Sequence, residues 1–128
     1  MQENHLFEYA VIRVVPRVER EEFLNVGVIV YCRKPAFLQM MFTIDEVKLV
    51  SMYPKINMED LRCHLKAYEQ ISAGKKEAGP IAALDMPSRF RWLTAKRSTV
   101  LQSSAVHPGL CKDPSLTLKH LFQQLVIS

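Results

Sequence analysis

The 128-residue chain has the size and composition of an ordinary globular domain. Hydrophobic residues make up 48% of it and charged residues 23%, which excludes a disordered or collagen-like chain. No apolar run approaches the ~20 residues that cross a bilayer. The first five residues also lack a basic stretch followed by an apolar one, so no signal peptide is expected. We therefore predict one cytoplasmic domain over residues 1–128.

The N-terminal third of the chain predicts three sequential β-strands. Residues 6–15 are rich in β-branched and aromatic residues and end at Pro16. In the second strand, residues 23–31, the even positions from 24 to 32 are all apolar and are expected to face the core, whereas the odd positions include Asn25 and Gly27. Residues 37–44 follow after a short link. Short links between neighbouring strands predict an antiparallel meander.

Beyond residue 44 the apolar residues recur at helical spacing, and four segments begin with helix start signals. The predicted starts are Thr43 with Glu46 as a capping box, Asn57, Asp85 followed by Pro87, and Asp113 followed by Pro114. Residues 98–106 are β-like but small and polar, which predicts an edge strand, and residues 107–109 predict a turn. The predicted fold is α+β, with an antiparallel sheet of about four strands packed against three or four helices.

Positive charge is concentrated near the C-terminus. Residues 1–88 contain 11 Lys and Arg against 12 Asp and Glu, whereas residues 89–128 contain 6 against one acid. The densest segment, residues 89–97, holds four cations and two aromatics, and guanidinium groups suit phosphate and carboxylate oxygens. The alternative is that its apolar residues are core and its arginines only solvate a helix. With the polar strand that follows, the candidate ligand- or partner-binding residues are Arg89, Arg91, Arg97, Ser98, Gln102, Ser103 and His107.

Motifs that would fix a reaction are missing from the sequence. His107 with Ser103 or Asp113 supplies the residue types of acyl transfer, but no Gly-x-Ser-x-Gly motif surrounds a serine. The histidines and cysteines lack zinc-ligand spacing, and no glycine-rich phosphate loop is present. Three widely spaced cysteines predict free, buried thiols. We therefore expect no catalytic residue, metal or cofactor.

Four segments carry a resemblance to a known family. They are Tyr-Ala-Val-Ile-Arg-Val-Val-Pro at residues 9–16, Glu-Phe-Leu-Asn-Val-Gly-Val-Ile at 22–29, Arg-Ser-Thr-Val-Leu-Gln-Ser-Ser-Ala-Val-His-Pro-Gly at 97–109, and Asp-Pro at 113–114. Together they resemble the bacterial family called domain of unknown function 3037, over nearly the whole chain. That family has no established activity, so the resemblance implies no catalytic residue. It does imply a partner, because similar members are often encoded beside a HipA-like Ser/Thr kinase.

Three functional hypotheses follow. The leading one is a non-enzymatic bacterial accessory domain that binds a protein partner, a HipA-like kinase, through residues 89–97 and the neighbouring polar edge. The second is a module that binds nucleic acid or a phosphoryl ligand with the same cations, whose affinity would fall steeply with salt. The third is an enzyme that uses His107 as an acid or base, which requires a cleft around that histidine.

Overall fold

The computed structural model describes residues 3–128. Residues 1 and 2, which belong to the segment in which no signal peptide is expected, lie outside the described residues. The strands are β1 (His5–Val14), β2 (Leu24–Cys32), β3 (Phe37–Phe42), β4 (Leu101–Ser103) and β5 (His107–Cys111). The helices are α1 (Glu46–Met52), α2 (Met58–Ser72), α3 (Met86–Thr94) and α4 (Pro114–Phe122), which continues as a π-helical turn, Gln123–Ile127. Within residues 3–128, no helix has the length and apolar character needed to cross a membrane.

All five strands form one antiparallel sheet in which β1 is central. One edge of β1 pairs with β2, which pairs in turn with β3. The other edge is shared, because β4 pairs with residues 12–14 and β5 pairs with residues 5–9. The predicted α+β class and the N-terminal meander are confirmed, with five strands where about four were expected.

The polar edge differs from its prediction. Residues 98–106 contain only the short strand β4. A second short strand, β5, begins at His107, where a turn was expected. The ladder is interrupted at Ser104, whose Oγ accepts a hydrogen bond from the Val11 N–H at 2.8 Å while its own N–H donates to the Val11 carbonyl at 2.8 Å. The Ser104 side chain thus supplies the acceptor for the Val11 N–H of β1 in the gap between β4 and β5. Pro108 is tolerated in β5 because a proline costs least on an edge strand.

Helices cover the sheet on both faces. Helices α1, α2 and α3 pack on one face, here called the three-helix face, around Ala10, Ile12 and Leu65. Helix α4 and the π-helical turn pack on the other, the α4 face, around Val28 and Leu118. Both faces of β2 are therefore buried.

A β-bulge makes wrong the prediction that the even-numbered residues of β2 all lie on one core-facing side of the strand. Ile12 pairs with Gly27 and the next residue of β1 pairs with Asn25, so Val26 is an extra residue that shifts the alternation. Val26 therefore joins the core of the three-helix face, whereas Val28 joins the core of the α4 face. Next to the bulge, a Cβ on Gly27 would lie 2.8 Å from the Met41 carbonyl oxygen, which only glycine avoids.

The predicted helix starts at Asn57, Asp85 and Asp113 are confirmed, because each side chain accepts a backbone N–H of the first turn. The start of α1 is corrected. Its N-cap is Asp45, which accepts the Lys48 N–H at 3.1 Å. Thr43 cannot serve, because its N–H still donates to the Val26 carbonyl of the sheet at 2.8 Å. The helix therefore begins two residues later than the capping box predicts.

Candidate functional site

Arg97 folds back onto the end of α3. Its guanidinium lies 4.3 Å from the centre of the Trp92 ring and 5.9 Å from that of Tyr68. It also donates hydrogen bonds to the carbonyls of Trp92 and Ala95 at the C-terminal end of the helix, where the Trp92 carbonyl otherwise accepts only a long backbone bond from Ala95 N–H at 3.5 Å. A cation at a helix C-terminus also interacts favourably with the helix dipole. Arg97 is thus a capping residue, and burial raises the pKa of the neighbouring Tyr68.

Arg89 is also engaged within the chain. Its Nη1 donates to the Leu84 carbonyl at 2.7 Å. Its guanidinium packs over Gly74 at the end of α2, where an added Cβ would lie 3.3 Å from Arg89 Cζ. Its Nε is buried without an acceptor. This side chain thus joins α3 to the end of α2.

Arg91 is the exposed arginine of α3, and it lies beside an open groove. The groove has a volume of about 710 Å³ and runs between the start of α3 and the end of the sheet at the β1–β2 pair. Its floor includes Tyr31 and Leu6, and its rim carries charges of both signs. The charged lining residues are Glu3, Glu8, Arg33, Lys34 and Arg91.

An exposed apolar pair adjoins this groove. Leu6 of β1 lies opposite Leu110 of β5, so their side chains point to the same face of the sheet. The residues are 66% and 68% exposed, although both lie inside strands. No helix covers this end of the three-helix face, because Leu6 and Leu110 are absent from both core clusters. This pair and all the residues that line the groove are together called the Arg91 groove below.

The remaining candidate residues are spread along the polar edge and do not surround one point. Ser98 is exposed in the loop after α3. Gln102 lies opposite Arg13 of β1, whereas Ser103 lies opposite Ile12 and therefore points to the other face. His107 is exposed and packs against Tyr9, with ring centres 5.3 Å apart. These four residues therefore do not form one cluster.

The three residues proposed for acid–base chemistry are also apart. Ser103 is on the three-helix face, while His107 pairs with Tyr9 on the α4 face. The Asp113 carboxylate is occupied, because Oδ1 accepts the N–H groups of Ser115 at 3.0 Å and Leu116 at 3.3 Å. A nucleophile, a base and an orienting acid must be within hydrogen-bonding reach of one another. This geometry does not favour acyl transfer through these residues.

Arg13 is a candidate that the sequence reasoning did not single out. It lies in the central strand, and its guanidinium is stacked on the Phe23 ring with 4.0 Å between Cζ and the ring centre. Its Nε is buried without an acceptor, and burial lowers the pKa of this arginine. None of the ion pairs found in residues 3–128 includes it. A single cation within the otherwise apolar run of residues 9–15 is the signal that would have identified it.

Asn25 and Gln102 lie on either side of Arg13, on the α4 face. Asn25 Nδ2 donates to the Leu125 carbonyl of the π-helical turn at 3.1 Å, which explains a polar residue within a buried strand. Its Oδ1, however, is buried and has no donor. Gln102 Nε2 donates to the Thr99 carbonyl at 2.8 Å. Gln102, Arg13 and Asn25 form a polar row across three strands, here called the Arg13 row.

The cysteines are free thiols, as predicted, but only two of them are buried. Cys32 and Cys111 lie in the core of the α4 face, and Cys63 is exposed on α2. Burial raises the pKa of the Cys32 thiol, and the neighbouring Cys111 adds to the shift. A raised pKa keeps the thiol protonated and unreactive near neutral pH. Across residues 3–128, no three His, Cys, Asp or Glu side chains group in a way that could hold a metal ion.

Comparison with known proteins gives one match. Residues 9–126 match the family model described as "Protein of unknown function (DUF3037)". The match includes the Arg13 row and the part of the Arg91 groove that follows residue 8, namely Tyr31, Arg33, Lys34, Pro87, Arg91 and Leu110. No curated protein and no solved structure matches the chain.

Proposed function

Since this chain belongs to the DUF3037 family, whose description names no activity, we propose its function from the geometry: a non-enzymatic accessory domain that binds a protein partner through the Arg91 groove. The observation that carries the proposal is the exposed Leu6–Leu110 pair beside Arg91. Two large aliphatic side chains inside paired strands, left uncovered next to a groove, are typical of a docking surface.

The distribution of charge supports a protein partner over nucleic acid. The groove carries Arg33, Lys34 and Arg91 together with Glu3 and Glu8, so its rim is mixed and only slightly positive. Protein interfaces combine an apolar centre with a polar rim of this kind. A phosphate backbone requires a continuous basic surface. Two of the arginines expected to supply one, Arg89 and Arg97, donate to carbonyls of the chain itself.

The partner that we propose is a HipA-like kinase, in a bacterial cell, on the basis of the family resemblance. The chemistry of the groove specifies the part of the kinase that would dock there. An aliphatic or aromatic side chain would cover Leu6 and Leu110, and a carboxylate next to it would pair with Arg91. Arginine is well suited to such a contact, because its planar fork binds a carboxylate through two hydrogen bonds.

Calorimetric titration of this chain with a purified HipA-like kinase from the same bacterium tests the proposal. Arg91→Glu places a negative charge opposite the proposed carboxylate, and Leu110→Asp removes half of the apolar pair. We expect each variant to weaken binding by at least about tenfold, because truncation of a central interface residue costs on the order of 2 kcal/mol. Both side chains are exposed, so thermal unfolding is expected to stay within a few degrees of the wild type.

The matched control is Lys96→Glu. Lys96 is an exposed cation just after α3 that does not line the groove, and its replacement changes the net charge by the same amount. We expect it to bind the kinase like the wild type. Equal losses in Arg91→Glu and Lys96→Glu would mean that only overall charge matters, and full affinity in both groove variants would refute the surface. Absence of binding by the wild type would refute the partner.

A further inference from the structure

A small hollow lies at the opposite end of β1 from the Arg91 groove, and the two share no lining residue. The hollow has a volume of about 190 Å³. Its walls come from three parts of the chain: Pro16 just after β1, the segment 53–64 that ends α1 and begins α2, and residues 100–101 at the start of β4. The hollow is therefore a product of the tertiary fold and not of a single loop.

Hydrogen bonds of the backbone hold these walls in place. The Val15 N–H donates to the Val100 carbonyl at 2.6 Å and joins the end of β1 to the residue before β4. The Ile56 N–H donates to the Tyr53 carbonyl at 3.1 Å and closes the turn that precedes α2, which Asn57 then caps. A site with walls already fixed loses little conformational freedom when a ligand binds.

The floor of the hollow is aliphatic. Leu61 and Leu101 are buried members of the core on the three-helix face, and Ile56 packs against that core. Val100, which is 43% exposed, completes the apolar lining. A dry cavity of about 150 Å³ lined by side chains of this kind can hold benzene. The hollow is thus large enough for an aliphatic side chain of the size of leucine.

Charged groups of both signs line the same hollow. Asp60 and His64 are four residues apart on α2 and therefore lie on one face of the helix, and Lys55 belongs to the turn before it. All three residues are exposed. Within residues 3–128, neither Asp60 nor Lys55 takes part in an ion pair. A free carboxylate and a free ammonium beside an apolar hollow suit a ligand that carries both charges.

From the aliphatic floor and these two unpaired charges, we propose that the hollow binds a free α-amino acid with an aliphatic side chain, such as leucine. The side chain enters the hollow, the ligand ammonium donates to the Asp60 carboxylate, and the ligand carboxylate accepts from the Lys55 ammonium. The site shares no residue with the Arg91 groove, so its failure would leave the proposed partner surface intact.

Calorimetric titration with four ligands tests the site. Leucine carries all three features, whereas isocaproate lacks the ammonium, isoamylamine lacks the carboxylate and glycine lacks the side chain. We expect leucine to bind at least about tenfold more tightly than each of the others, because a charge-assisted hydrogen bond or a buried leucine side chain contributes at least that factor. Equal binding by leucine and any one of the other three would overturn the proposal, as would the absence of saturable leucine binding.

Two variants assign the charges. Asp60→Asn is expected to weaken leucine binding by at least about tenfold but to leave isocaproate binding unchanged, because isocaproate has no ammonium. Lys55→Gln is expected to weaken the binding of both but not that of isoamylamine. Glu59→Gln is the matched control, because Glu59 is an exposed acid in the same helical turn as Asp60 that does not line the hollow. Equal losses in Asp60→Asn and Glu59→Gln would rule out the contact with Asp60.

Discussion

Arg97 at the end of α3 and Arg13 in the middle of the sheet are two partly buried arginines that both stack on an aromatic ring. The distances to the ring centres are similar, 4.3 Å for Trp92 and 4.0 Å for Phe23. Their hydrogen bonding is opposite, because Arg97 donates to two carbonyls while the Nε of Arg13 has no acceptor. The same type of side chain therefore stabilises the end of a helix in one region and leaves a buried donor unmatched in the other.

This difference changes how the basic segment at residues 89–97 is interpreted. Four cations in nine residues suggest a binding surface, but the structure uses Arg89 and Arg97 to satisfy carbonyls at helix ends. Arg91 is exposed and lines the groove. The number of cations in a segment is thus a weaker guide to binding than the number of donors that the fold leaves unmatched.

The largest expected effect is on Arg97. Arg97→Met keeps much of the apolar contact with Trp92 but removes the hydrogen bonds to the carbonyls that end α3. We expect the free energy of unfolding to fall by about 2 kcal/mol, from these charged hydrogen bonds and the cation–π contact. Urea denaturation measures this loss, with Lys96→Met as an exposed control that should change by no more than about 0.5 kcal/mol. A loss as small as that of the control would show that Arg97 is not a cap.

The smallest expected effect is on Arg13, although it is the more central residue. Arg13→Met removes a buried donor that has no acceptor and keeps a flexible apolar contact with Phe23. We expect the free energy of unfolding to change by no more than about 0.5 kcal/mol, or to rise, since removing an unmatched donor relieves its desolvation cost. The same urea experiment checks it. A loss close to that of Arg97→Met would erase the contrast between the two arginines.

Much of the fold could be predicted because it depends on local signals. The caps at Asn57, Asp85 and Asp113 act within one helical turn, and the β-branched and aromatic residues of the first strand favour a strand by themselves. The bulge at Val26 could not be predicted, because it depends on the pairing between β1 and β2. The same holds for Ser104, whose hydroxyl replaces a backbone acceptor only because Val11 is opposite.

The candidate site was harder to predict for the same physical reason. The sequence indicates Arg91, but its neighbours Leu6 and Leu110 belong to two strands that are far apart along the chain and are paired only in the sheet. Arg13 was missed because the sequence shows only a cation in an apolar strand. Whether such a cation is matched depends on residues such as Asn25 and Gln102, which the sheet brings beside it.

Hydrogen–deuterium exchange of the chain, alone and mixed with the proposed HipA-like kinase partner, tests the central claim most directly. If the Arg91 groove is the docking surface, the kinase should slow exchange in residues 3–9, 86–92 and 107–111, which form the groove and its apolar pair. Exchange in α4 and around Arg97 should stay unchanged. Protection confined to residues 95–103 or to α4, with none at the groove, would contradict the account.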